Sequence, residues 1–298
     1  MATQPQRPTF RFAPSPNGAL HLGHAYSALM NARLAAETGG RLLLRIEDLD
    51  QTRCKREYEA AIDEDLAWLG LAFDGPPRRQ SEHAEDYARA LEALRARGLV
   101  YPCFCSRGQI AAAAGGARDP DGAPLYPGLC RALSPREVAR RLAAGERAAL
   151  RLDAARARAA APAELFWREF GEGAREELRR ADPAAWGDFV VRGKDNAASY
   201  HLAVVVDDCL QGVSDVVRGR DLLSATSAHR LLQSLLDLEP PRYRHHRLAL
   251  DAAGAKMAKS ASSPPLCALR EAGYSAVEVR AALGFEIGEA PRLAVRFS

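Results

Sequence analysis

Long apolar runs are missing from this 298-residue sequence. The longest candidate, 202–206, stops at Asp207, far short of the ~18 residues that a membrane-spanning helix needs. No membrane partner is therefore expected. The stretch 1–15 has no apolar core of the secretory kind, so no secretory signal is read there. Cysteine is scarce. Six residues cannot supply the dense disulfide framework of a small secreted scaffold, so a cytoplasmic location with reduced thiols is expected. Lysine is scarcer still: Lys55, Lys194, Lys256 and Lys259 are the whole set, against 37 arginines. The net charge of +3 is too small for nucleic-acid binding to be read from the total; a local basic face would be needed. Two phosphate-binding signatures are also absent. Gly193-Lys194 is followed by Asp195 rather than Ser or Thr, which excludes a Walker A loop, and no G-x-G-x-x-G follows the first strand. What is present is ordinary: 47% hydrophobic and 27% charged residues exclude a disordered or collagen-like chain. The length allows about two domains.

Apolar patterning predicts a strand over 9–13, a turn-rich stretch over 14–18 and a helix over 21–38 that Gly39-Gly40 stops. A strand over 42–46 follows, then helices over 58–69 and 84–97. This alternation argues for a parallel α/β domain. The segment 108–128 reads as loop, and 134–144 as a helix with a Ser-Pro start. The stretch 151–180 is rich in alanine and arginine and weakly periodic. Strand character returns over 200–207 and helix over 222–236. An α/β fold interrupted by an insertion at about 101–190 accounts for this order.

Two segments carry candidate chemistry. His21-Leu22-Gly23-His24 opens the first helix directly after the first strand and loop. A helix N-terminus offers free N–H groups and a positive dipole end to phosphate, and two imidazoles add donors. The alternative is a pair of helix-capping histidines. Lys256-Met257-Ala258-Lys259-Ser260 lies in a glycine- and serine-bearing loop, where two ammonium groups could clamp a leaving pyrophosphate. The alternative is a solvated basic loop. Three cysteines, Cys103, Cys105 and Cys130, fall within 28 residues. They suit a structural zinc site, with plain buried thiols as the alternative.

Together the two loops resemble the paired HIGH and KMSKS signatures of class I aminoacyl-tRNA synthetases. The segments 11–16 (RFAPSP), 45–48 (RIED), 68–71 (WLGL), 80–81 (QS), 204–208 (VVVDD) and 217–219 (VRG) are similar to the glutamyl-tRNA synthetase catalytic domain from about 9 to 260. The resemblance implies a Rossmann-like parallel sheet split by an insertion, with a short helical C-terminal segment. The implied domains are 1–100, the first catalytic half; 101–190, a zinc-bearing insertion; 191–245, the second half; and 246–298, the KMSKS-like loop and C-terminal segment. No anticodon-binding domain is expected in the 38 residues after Ser260. That feature, Leu49 in RIEDLD and the cysteine cluster point to the family's short branch, which loads glutamate onto queuosine in tRNA(Asp). Ala258 departs from the KMSKS pattern, and His24 lies closer to the full-length enzymes.

The resemblance also implies roles for individual residues. Arg11, Phe12, Ala13, Pro14 and Ser15 would hold L-glutamate, Glu47 would receive its ammonium group, and Tyr200 and Arg218 would complete that site. His21, Gly23, His24, Lys256 and Lys259 would bind ATP, which arrives with Mg²⁺, and His21, His24 and Lys259 would carry catalysis. Tyr126 would join Cys103, Cys105 and Cys130 around one zinc ion per chain. The implied reaction is tRNA-independent activation of glutamate by a monomer, then transfer to queuosine in the anticodon stem-loop of tRNA(Asp). The insertion's Arg131, Arg136, Arg140, Arg141 and Arg151 would face RNA phosphates. Glutamylation of a tRNA 3′ end by a short synthetase is the competing reading.

Overall fold

The computed structural model describes residues 7–171, 175–250, 264–286, 293 and 295–298. Strand β1 (Thr9–Phe12) leads into helix α1 (Leu22–Glu37), β2 (Arg41–Ile46), α2 (Arg56–Trp68), β3 (Arg78–Arg79) and α3 (Ala84–Ala96). Then come β4 (Val100–Cys103), α4 (Arg107–Ala113), α5 (Pro135–Ala143), β5 (Ala149–Leu152), α6 (Ala154–Ala160), β6 (Phe166–Phe170), β7 (Glu176–Arg180) and β8 (Val190–Arg192). The chain continues through α7 (Tyr200–Leu210), β9 (Asp215–Gly219), α8 (Ala225–Leu235), β10 (Arg242–His246), β11 (Ala249–Leu250), α9 (Leu266–Glu271), α10 (Ala276–Ala282) and β12 (Arg296–Phe297).

These elements form two compact units. The first takes 1–81, 212–222 and 242–298; the second takes 82–211 and 223–241. In the first unit β1 pairs in parallel with β2, and β2 with β3. β9 pairs in parallel with β10. Ser214 joins the starts of β1 and β9: its N–H donates to the Thr9 carbonyl (3.1 Å) and its Oγ accepts from the Thr9 N–H (2.9 Å). Parallel strands must be covered by crossover elements, and α1 provides one between β1 and β2. Its fully buried Ala25 and Ala28 keep that helix close to the sheet. Buried Asn31 fastens it further, donating from Nδ2 to the carbonyls of Ser27 and, on β9, Val217. Gly39 follows α1 at φ +61°, and a Cβ on Gly40 would sit 2.8 Å from the Pro8 carbonyl, so this helix stop needs glycine.

The second unit contains the antiparallel set β4-β5-β8 and the antiparallel hairpin β6-β7. α3 and α7 are tied by a buried bond, the Tyr87 hydroxyl donating to Asp207 (2.9 Å). Two expectations change here. The strand expected over 200–207 is helix α7, with Ser199 accepting from the Leu202 N–H as its N-cap. Residues 202–208 are buried all round, and a short apolar run of this kind looks the same to periodicity in a buried helix or strand. Ser199 was the available cue. The loop expected over 108–128 begins inside α4, whose Ser106 and Gln109 form a capping box.

Asp65 on α2 gives a pH test of the first unit. Its side chain is fully buried, Oδ2 has no hydrogen-bond partner among the described residues, and Oδ1 lies 3.3 Å from Arg270 Nη1 on α9. Burial raises its pKa from 3.8 to about 6 despite Arg270. The folded state therefore binds this proton more tightly than the unfolded chain. Stability gained by protonation is complete below pH 3.8 and is lost as pH rises through 6. Relative to wild type, Asp65→Asn should gain on the order of 2 kcal/mol between pH 4 and pH 7.5. Thermal melts at both pH values measure this difference. A difference that does not change with pH would refute the raised pKa.

Candidate active site

The first unit gathers most of the expected substrate residues at the C-terminal ends of its parallel strands, where open α/β sheets bind ligands. Arg11 lies on β1 opposite Leu43 of β2 and is buried. Past the paired residues, the Glu47 N–H donates to the Pro14 carbonyl (3.0 Å) and the Lys55 N–H to the Pro16 carbonyl (3.0 Å). The segment 47–55 is thus pinned at both ends against 14–16, the stretch that includes Pro14 and Ser15. Asp48 accepts from the Ser81 N–H (2.8 Å) and hydroxyl (2.5 Å). Asp50, held below the usual carboxylate range by hydrogen bonds from Thr52 and Arg53, closes the turn between them.

Arg45 and Cys54 join this site although sequence reading gave neither a role. The Arg45 guanidinium is fully buried and lies 3.4 Å from Glu47 Oε1. The signal was strand alternation: residues 45 and 47 fall on one face. The Cys54 thiol donates to the Glu47 carbonyl (3.8 Å). Burial, then Asp48 and Asp50, push that thiol up, so it stays neutral. Arg218 is buried near the end of β9. Its Nε donates to His245 Nε2 (3.2 Å), and its guanidinium lies 5.4 Å from the Tyr243 ring centroid.

His21 is the N-cap of α1, in extended backbone (φ −128°, ψ 176°). Its Nδ1 accepts from the Gly23 N–H (3.1 Å), and its own N–H donates to His24 Nδ1 (3.2 Å). The two rings lie 3.9 Å apart. The capping alternative is therefore true of the geometry and does not displace the phosphate reading. With both Nδ1 atoms accepting, each neutral ring carries its proton on Nε2 and keeps one N–H donor at the positive end of a 16-residue helix. Lys256 and Lys259 lie outside the described residues. Pro265, six residues past Lys259, forms a β-bridge with His21, and the Leu266 N–H donates to the Leu20 carbonyl (2.8 Å). Residues 265 and 266 therefore lie at the head of α1.

Tyr200 belongs to the second unit. It is the first residue of α7, with its ring 5.5 Å from that of His201 and 5.6 Å from that of His229 on α8. The same unit brings the four expected metal ligands together. The sulfurs of Cys103, Cys105 and Cys130 all lie within 4.8 Å of one another, Cys105 and Cys130 at 3.5 Å. The Tyr126 hydroxyl is 3.8 Å from Cys105 Sγ and accepts from the Cys130 N–H (2.7 Å). Thiolates ~2.3 Å from one tetrahedral zinc ion stand ~3.8 Å apart, so the donor set fits that ion. Burial pushes the Cys103 thiol up, but hydrogen bonds from Tyr126 and Arg151 outweigh it and hold the thiol below its ordinary value. Burial and Cys130 push Cys105 up to about 11.

The arginines expected to face RNA divide. Arg151 is buried, with its guanidinium 3.8 Å from the Tyr126 ring centroid and Nη1 bonded to the Asp188 carbonyl (2.7 Å). Arg131 pairs with buried Asp188, Arg140 with Glu137 and Arg141 with Glu146. Arg136 is exposed and forms no ion pair among the described residues. Sequence alone could not separate surface cations from those engaged inside the insertion.

Parallel strands thus end in an arginine–glutamate cluster beside a histidine-capped helix, and the family match gives this arrangement its class: a class I tRNA synthetase. The chain belongs to the class I tRNA synthetase family (E and Q), whose catalytic-domain model matches residues 9–283. It is 43% identical to the glutamyl-Q tRNA(Asp) synthetase of Rhodobacter capsulatus, over 92% of this chain and 99% of that protein. It is 41% identical to the glutamyl-Q tRNA(Asp) synthetase of Nitratidesulfovibrio vulgaris, over 94% of this chain and 86% of that one. Among solved structures, a glutamate tRNA ligase from Elizabethkingia meningosepticum in complex with its amino acid matches with a TM-score of 0.75 and 25% identity. That match covers 96% of this chain and 62% of the ligase.

Proposed function

We propose that this protein activates L-glutamate with ATP, without tRNA, and transfers it to the queuosine base at the wobble position of tRNA(Asp). The observation that carries the reading is high identity, over nearly the whole of both chains, to proteins named for that reaction. The architecture is compatible with it. Glutamate presents two carboxylates and one ammonium group, which call for planar guanidinium forks and one acid. Arg11 and Arg218 supply the forks and Glu47 the acid, with Phe12, Ala13, Pro14, Ser15 and Tyr200 as further contacts. No side-chain nucleophile is required. A carboxylate oxygen of glutamate attacks the α-phosphorus, the bond from it to the bridging oxygen breaks, and pyrophosphate leaves. Mg²⁺ accompanying ATP neutralises phosphate charge. Catalysis by the chain is positioning plus electrostatic stabilisation: Nε2–H of His21 and His24 toward phosphate, Gly23 under the base, Lys256 and Lys259 on the leaving pyrophosphate. A queuosine hydroxyl then attacks the adenylate carbonyl carbon and AMP departs.

The test is ATP–pyrophosphate exchange with each amino acid, with and without tRNA. Exchange with glutamate alone, independent of tRNA, is expected. Exchange that requires tRNA would refute this order of steps. In the same assay Lys259→Ala should reduce the rate about a hundredfold, the usual loss for one transition-state contact of ~3 kcal/mol, with little change in KM for glutamate. An unaltered rate would remove Lys259 from the mechanism.

The cysteine cluster supports a second component. Cys103, Cys105, Cys130 and Tyr126 would hold one structural zinc, whose contribution is to tie β4 to the 126–130 loop. Elemental analysis of protein never exposed to chelator should find about one zinc per chain. Metal-free protein of full stability would return the cysteines to plain buried thiols. A cytoplasmic location accords with reduced cysteines.

A further inference from the structure

Asp188 takes no part in the chemistry above, yet it is almost fully buried and accepts from both arms of the cysteine–tyrosine cluster's support. Its Oδ2 receives Arg131 Nε (2.7 Å) and Nη2 (2.5 Å), and also the Tyr101 hydroxyl. Its Oδ1 receives the Ala154 N–H (3.0 Å), at the first residue of α6. Its carbonyl receives Arg151 Nη1. Arg131 is the chain neighbour of Cys130, and Arg151 lies over the ring of Tyr126. One buried carboxylate and its own backbone oxygen thus fix the residue after one sulfur donor and the cation stacked on the oxygen donor. Tyr101 extends the hub to β4, two residues before Cys103.

We propose that Asp188 is the positioning residue of the metal site, acting through Arg131 and Arg151. The inference rests on the zinc reading of the cluster. Outer partners of this kind orient ligands and typically change metal affinity 10–100-fold when removed. Two consequences follow from the geometry. Loss of the carboxylate frees Arg131 and lets the 126–130 loop drift from the β4 thiols. Arg151, which bonds the backbone oxygen, keeps its own bond and still covers Tyr126, so the site weakens without vanishing.

The experiment uses the full chain with Zn²⁺ as the probe, in competition against a chromogenic chelator. Asp188→Asn should weaken zinc binding 10–100-fold. Arg131→Met, at a half-exposed side chain, should weaken it in the same direction. Asp153→Ala serves as the stability control: it removes the α6 cap next to Ala154 without touching the cluster, and it should lower the melting temperature with zinc affinity unchanged. The zinc-induced rise in melting temperature should shrink in the first two variants only. Wild-type zinc affinity in both Asp188→Asn and Arg131→Met would make Asp188 a fold residue and overturn the inference. Equal weakening by Asp153→Ala would do the same, because general loosening would then explain the effect. Failure of wild-type protein to bind zinc at all would overturn the metal reading and this inference with it, an outcome distinct from either of the others.

Discussion

Arg218→Ala should lower kcat/KM for glutamate in ATP–pyrophosphate exchange by about 30- to 4,000-fold. Truncating one partner of a buried, hydrogen-bonded charge pair costs about 2–5 kcal/mol, and the substrate carboxylate would be the other partner. The side chain is held ready before substrate arrives. β9 buries it, His245 accepts from Nε, and Tyr243 lies under the guanidinium. Such preorganisation puts little ordering cost on binding. Arg218→Lys should recover only part of the loss, because an ammonium group lacks the planar fork and sits differently against Tyr243. Wild-type enzyme should strongly prefer glutamate to glutamine, since a neutral amide leaves the buried guanidinium without a charge partner. Equal exchange with glutamine, or an Arg218→Ala variant within threefold of wild type, would remove this residue from the pocket.

The parts of the fold legible from sequence were those set by local chemistry. The head of α1 is one: histidines spaced by three at a helix start do form a capping box, and Gly39 does end that helix. β1, β2 and the class of fold followed from apolar runs alternating with helical spacing. What was not legible depended on contacts distant in the chain. Asp188 meets Arg131, Tyr101 and Ala154 across 57, 87 and 34 residues, and no spacing rule reports such a hub. Arg45 and Asp65 look like surface charges in the sequence and are completely buried in the fold. The helix over 200–210 read as a strand because valines suit both when buried on every side. The His21 bridge to Pro265 is another such contact, joining residues 244 positions apart in the chain.

Labelled glutamate should enter tRNA(Asp) carrying queuosine and leave tRNA(Asp) carrying guanosine at the same position unlabelled. The cyclopentene-diol of queuosine presents neighbouring hydroxyls to an adenylate much as a terminal ribose does, so one activation site can serve either acceptor chemically. What decides is which RNA surface reaches it. An anticodon loop offers splayed bases that can be read one by one, and a modified base there can enter a pocket without unpairing a helix. Fewer of the insertion's arginines lack a protein partner than its composition suggests, because Arg131, Arg140 and Arg141 form ion pairs and Arg151 is buried. Binding should therefore weaken with salt less steeply than a count of arginines would give, and Arg136→Ala should flatten that slope further while Arg140→Ala changes it little. Removing the 3′-terminal nucleotides from the labelled product separates the two acceptors. Label retained after that treatment, and seen only in the queuosine sample, is the expected result. Equal labelling of both tRNAs, lost with the 3′ end, would show an enzyme that glutamylates the terminal ribose instead.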